Sequence, residues 1–266
     1  MSKKYQLPQW SYPILSLLFW VGLWWILAAI FQKPLILPTP LAVFKTLGTL
    51  GVTASFWKTV FLSLFRISLG ILAALLCGSL LALVTVKSKL CHHLFSPLLT
   101  LFKATPVASV IFLMLIWVGR DRIPLLIAFL MALPIVWSNV REGFLQTDKK
   151  LLEMATVFRL DTKDRLRYIH VPSLFPYFLA ACRSAIALAW KAGIAAEVLS
   201  NPKSTIGHFI YDAKTWGYND QLFAWTLVVI IISAAIEWGA LALLGKAQNK
   251  WEVKKNDRAT KRFSTF

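Results

Sequence analysis

The sequence predicts an all-α, polytopic membrane protein with about six transmembrane helices. Three observations carry that expectation. Hydrophobic residues make up 58% of the 266 residues and charged residues only 15%, whereas soluble domains hold about 25% charged residues. Apolar runs recur, each near the ~20 residues that a helix needs to cross the hydrocarbon core. Lys and Arg gather in alternate loops between those runs, as cytoplasmic loops require.

The first span runs from Pro13 to Phe31. Its apolar run has no convincing small-residue cleavage site, so it reads as a retained helix rather than a signal peptide. The second covers Phe56 to Val86, the third Leu94 to Val118 and the fourth Ile123 to Phe144. The fifth covers Ser173 to Leu199 and the sixth Leu222 to Leu244. No internal repeat or low-complexity linker divides the chain, so residues 1–266 form one membrane domain with a tail at 247–266. Two connecting segments carry turn chemistry. "KPLILPTPLAVFKTL" is proline-rich and then amphipathic, fit to lie along the outer surface. "SNPKSTIGHFIYDAKTWGYND" is polar and long enough for a short helix.

With the N-terminus in the cytoplasm, seventeen Lys and Arg fall in cytoplasmic segments. Only six fall outside: Lys33, Lys45, Arg120, Arg122, Lys203 and Lys214. Both termini are therefore expected in the cytoplasm. The same bias accounts for the net charge of +17, so nucleic acid is not an expected partner. The three cysteines, Cys77, Cys91 and Cys182, are odd in number and suggest no disulfide framework.

Between the fourth and fifth spans lies "LLEMATVFRLDTKDRLRYIHVPSLFP", residues 151–176. Ten of the twenty residues from Asp148 to Arg167 are charged. Leu151, Met154, Ala155 and Phe158 recur at helical spacing and form an apolar stripe, with Lys149, Lys150 and Glu153 on the other side. Asp161 suits the N-cap of a second short helix. Pro172 disfavours helix at Val171 and reads as a stop before the chain re-enters the membrane.

This segment resembles the signature of bacterial ABC-importer permeases: Glu-Ala-Ala, three residues, Gly, nine residues, Ile, one residue, Leu-Pro. Glu153, Ala155, Ile169 and Pro172 match. Val171 stands for Leu, Met154 for Ala and Arg159 for Gly. The Gly would turn the chain sharply after the first helix through a positive φ. Arg reaches that conformation at a cost of about 1 kcal/mol, so the turn is open to a different construction here. "LPTPLAV", "RISLG", "KATPVAS", "WVGR", "NVREGF" and "AWKAGIAAEVL" extend the resemblance to the branch of nitrate, sulfonate, taurine and bicarbonate importers.

The resemblance implies a type I ABC-importer permease of the bacterial inner membrane, non-catalytic and working by alternating access. It implies a homodimer, a cytoplasmic ATPase dimer that binds ATP and Mg, and an extracytoplasmic substrate-binding protein. It makes Leu151, Glu153, Met154, Ala155, Phe158, Arg159, Asp161 and Pro172 the ATPase-coupling element. The solute is expected to be small and polar or anionic, a sulfonate, nitrate or taurine, or a vitamin precursor.

The chain itself lacks a phosphate-binding loop. In "GALALLGKA", Gly239 stands six residues before Gly245, and Ala247 replaces the Ser or Thr that holds magnesium. His92, His93, His170 and His208 have no metal-ligand spacing. Charges inside spans demand partners or a wet path. They are Arg66, Arg183, Lys191, Glu197 and Glu237. For Arg66 and Glu237, deep in their spans, structural pairing is the favoured reading. Lys191 and Glu197 lie six apart and do not share a helix face; Lys191 is a candidate to favour an anionic solute. Two rival readings remain at this point: an ion-driven carrier, which usually shows repeats, and a membrane-embedded enzyme, which needs clustered His, Asp or Glu.

Overall fold

The computed structural model describes residues 11–263, with side chains for residue 12 and residues 14–246. Those residues form helices and connecting turns, with no strand among them. Lys3, Lys4 and the tail cations from Lys250 onward, which entered the orientation count, lie outside the described side chains.

α1, Ser11–Phe31, is apolar all round, as a lipid-embedded helix is. Leu17, Leu18, Phe19 and Trp20 are each more than 60% exposed. Trp24 ties α1 to the proline-rich segment by donating to the Pro38 carbonyl at 3.1 Å. That segment then resolves into α2, Pro40–Gly51. Thr39 caps it by accepting from the Ala42 amide, and Pro40 occupies the first turn, where its missing N–H costs nothing. Thr46 Oγ1 donates to Asp220 at 2.9 Å, holding α2 against the start of the last helix.

α3, Ala54–Lys87, has 34 residues. At 1.5 Å per residue it is about 51 Å long and overreaches a ~30 Å core. The third span, expected as one run from Leu94 to Val118, is broken. α4, Lys89–Ala104, and α5, Val107–Trp117, meet at a 108° bend. Thr105 and Pro106 between them are extended, at ψ 132° and 127°. Pro106 has no N–H to continue the ladder, and it pushes Thr105 out of the helical region.

α6, Ile123–Leu145, follows a 3-10 turn at Arg120–Arg122 and forms the centre of the bundle, packed along both α3 and α9. Ile127, Ala128, Met131, Ala132 and Val136 are buried. Close approach is built from small residues. A Cβ at Gly70 of α3 would collide with the Leu125 carbonyl of α6.

After α6 come two short helices, α7, Lys149–Val157, and α8, Thr162–Arg165. The stop expected at Pro172 is absent. α8, a π-helical turn at Leu166–His170 and α9, Val171–Ser200, run on as one 39-residue helix. Val171 is helical, at φ −58° and ψ −45°. The widened π turn makes room for the proline ring, and Pro172 stands in the first turn of α9. Asn201, left-handed at φ 51°, ends α9, and Thr205 caps α10, Ile206–Trp216. α11, Asn219–Phe263, is the last helix and continues well beyond the expected end of the sixth span at Leu244. Among the described residues, five helices are long and apolar enough to cross a membrane, and six spans result if the bent α4–α5 pair counts as one.

Candidate functional site

The charged island joins α6 to α9. Asp148 caps α7, accepting from the Lys150 amide at 2.9 Å. The helix then ends in a Schellman turn. The Leu160 amide reaches back to the Ala155 carbonyl at 2.9 Å, and the Arg159 amide to Thr156 at 3.1 Å. Arg159 sits at the left-handed position, with φ 51°. The turn that the missing Gly was expected to require is therefore present, made by an arginine. Asp161 opens α8, its carboxylate accepting from the Thr162 amide at 2.7 Å.

Arg165, which the sequence pattern did not single out, fastens the turn. Its Nε donates to the Leu160 carbonyl at 3.1 Å and its Nη2 to the Ala155 carbonyl at 3.3 Å. One carbonyl in the last turn of α7 and one in the turn after it thus accept from a cation on α8, which also suits the helix dipole.

The apolar stripe expected on α7 is altered in one place. Ala155 is fully buried and forms the floor of the turn rather than part of an outward face. Its methyl is small enough to pack beneath the helix. The exposed apolar face is Leu151, Met154, Val157 and Phe158, with Val157 at 78% and Phe158 at 71% exposure. Val157 lay one position off the expected stripe and was missed, because the helix ends there and its last turn rotates outward. Glu153, Arg159 and Asp161 are exposed around that face, while Pro172 is half-buried behind it. Ile169 is buried, and the His170 ring packs on Phe144 of α6, 5.7 Å between centroids.

The intramembrane charges divide into two groups. Arg66 pairs with Asp121 at 3.3 Å. Glu197 is fully buried; its Oε2 accepts from Ser63 Oγ at 2.9 Å and from the Gly207 amide at 3.1 Å. Ser63 Oγ accepts in turn from the Ile206 amide at 3.0 Å. Glu197 and Ser63 therefore cap the first turn of α10 from two other helices. A Cβ at Gly207 would collide with Glu197. The contacts of Ser63 with Glu197 and Ile206 were not legible from spacing, since the partners lie 134 and 143 residues apart.

Lys191 and Glu237 form the second group, an ion pair of 3.1 Å between α9 and α11 with both side chains substantially exposed. Arg183, Ile186, Ala187, Glu237, Ala240 and Leu241 line a cleft of about 180 Å³ beside it. The near-match to a phosphate-binding loop is not a loop, because Gly239 and Gly245 both lie inside α11.

Residues 67–244 match the family described as binding-protein-dependent transport system inner membrane component. Among similar proteins, SsuC of Bacillus subtilis, named for aliphatic sulfonates transport as a permease, is 25% identical over 81% of this chain and 78% of its own. The taurine transport system permease TauC of Escherichia coli is 25% identical over 83% of this chain and 82% of its own. A solved structure titled as an amino acid ABC transporter with histidines aligns with TM-score 0.62 at 16% identity. That alignment covers 77% of this chain and 97% of the other. It speaks for a shared fold.

Proposed function

This chain belongs to the family of inner membrane components of binding-protein-dependent transport systems, and from that premise we propose that α7 and its turn are where a cytoplasmic ATPase takes hold of it. The chain is the multi-pass permease subunit of an ABC importer. The observation that carries the proposal is the exposed apolar face of Leu151, Met154, Val157 and Phe158 on a short helix in the segment that joins α6 to α9. Such a face on a polar loop fits helix-in-groove recognition. Glu153, Arg159 and Asp161 around it set register and orientation.

In this reading the α7 end of the bundle faces the cytoplasm, both termini with it. ATP and Mg belong to the ATPase, and the permease does no covalent chemistry. Two copies of the chain pair around a translocation path, and a binding protein delivers solute to the opposite face. Closure of the ATPases moves α7, and the unbroken helix from Thr162 to Ser200 carries that motion across the membrane as a rigid body. The named transport roles of SsuC and TauC favour a small sulfonate or similar anionic or polar solute.

Co-expression with a candidate ABC ATPase from the same organism tests the reading. Phe158→Glu and Glu153→Arg are expected to abolish co-purification of the ATPase while the permease still inserts. Deletion of residues 151–160 has the same expected result. Retained ATPase and undiminished uptake in those variants would sink the assignment.

A further inference from the structure

The ion pairs leave one polar surface unaccounted for. On α4, His92, Ser96, Thr100 and Lys103 recur at helical spacing along the whole helix. The face of α4 beside this stripe is apolar, with Phe95, Leu99 and Phe102 packed in the bundle core. The stripe from His92 to Thr100 opens into a shallow cleft of about 550 Å³, lined also by His93, Pro97, Leu101 and Ala104; Lys103 lies just outside it. A polar stripe carrying cations at membrane depth is stable only against protein or a water-filled cavity.

The charges on this surface have one sign. α4 carries Lys89 and Lys103 and no acidic residue. Lys103 Nζ donates to Ser138 Oγ of α6 at 3.3 Å. Trp137 of α6 lies between His92, stacked at 6.0 Å, and the Arg141 guanidinium, 6.0 Å from its ring. Neither Lys103 nor Arg141 belongs to an ion pair among the described residues. His92 Nδ1 and Arg141 Nε are buried without a hydrogen-bond partner. Glu142, the one carboxylate close by in sequence, accepts from Gln146 Nε2 at 2.7 Å. Lys191, by contrast, is already answered by Glu237.

We infer that the polar face of α4 lines the translocation path and receives the transported solute as an oxyanion, with Ser96 and Lys103 as its donors. The inference rests on the permease reading and deepens it. The Ser96 hydroxyl and the Lys103 ammonium suit a solute with several acceptor oxygens, such as a sulfonate or carboxylate, while the Thr100 hydroxyl donates to the Ser96 carbonyl at 2.8 Å. The bend at Thr105 and Pro106 ends the stripe at the point where α5 turns away. An anionic lipid headgroup shares this chemistry and is the competing occupant.

Cysteine accessibility in the assembled transporter tests it without a known solute. Ser96→Cys, Thr100→Cys and the control Leu94→Cys are made in a background lacking Cys77, Cys91 and Cys182. Leu94 is exposed but does not line the cleft. Each is treated with a negatively and a positively charged methanethiosulfonate reagent, corrected for reactivity with free thiol. At positions 96 and 100 the anionic reagent is expected to react about sixfold faster. That is the factor one net positive charge about 8 Å away in water gives between anion and cation. Lys103→Met should bring the ratio towards one, ATP with vanadate should change the rates, and Leu94→Cys should stay unreactive.

Equal reaction at all three positions would mean a helix lying in bulk water and would overturn the inference. So would protection at 96 and 100 in phosphatidylglycerol but not phosphatidylcholine nanodiscs, which assigns the site to lipid. If the ATPase assembles but the thiols are inert, the path assignment alone fails. If no ATPase assembles, the ATPase-docking reading itself fails.

Discussion

The buried carboxylate of Glu197 provides the sharpest quantitative test of the fold. Replacement by Ala removes the acceptor for two buried donors, Ser63 Oγ and the Gly207 amide. Each orphaned donor costs about 1–3 kcal/mol. The lost side-chain volume in a fully buried site adds to that. A loss of about 3 kcal/mol corresponds to about 6–12 °C in melting temperature for a chain of this size class. Glu197→Gln keeps a carbonyl oxygen for the same donors, so it is expected to retain most of the stability. The assay is thermal aggregation of the purified complex, followed by limited proteolysis of the segment from Asn201 to Gly217. In Glu197→Ala that segment should be cut faster, because the first turn of α10 loses its cap. A Glu197→Ala protein as stable as the parent, or a Gln variant as unstable as the Ala one, would refute the capping argument.

Three further outcomes are expected. Arg159→Gly should preserve coupling and stabilise the α7 turn by up to about 1 kcal/mol, since φ 51° costs glycine nothing; hydrogen exchange of the Leu160 amide reads this, and lost ATPase coupling would contradict it. Gly70→Ala should lower assembled yield, at a cost of about 1–3 kcal/mol, because its methyl meets the Leu125 carbonyl and the Ala128 Cβ; an unchanged yield on size-exclusion chromatography would show that α3 and α6 can part freely. Lys191→Met should reduce uptake without loss of assembly or basal ATPase activity, as an exposed ion pair holds about 0–1 kcal/mol of stability; unchanged uptake would remove Lys191 from the path.

Composition and order alone determined the class of this protein. A chain with 58% hydrophobic residues has no soluble core large enough to bury them, so membrane helices result. Five of the spans, the short helices at α7, α8 and α10, and the cap Asp161 were legible because capping and hydropathy act over a few neighbouring residues. The segment between α6 and α9 was legible differently, through its resemblance to a family pattern at Glu153, Ala155, Ile169 and Pro172. Other decisions waited for tertiary packing. Pro106 broke a span while Pro172 did not: Thr105 before the first is extended, whereas Val171 before the second stays helical after a π turn. Ala155 turned inward and Val157 outward once Arg165 had fastened the end of α7. Arg66 chose Asp121, and Glu197 chose Ser63 and the start of α10, over separations that no local pattern encodes. A buried charge takes whichever partner the packed helices bring within hydrogen-bond reach, and that is settled only when the bundle closes.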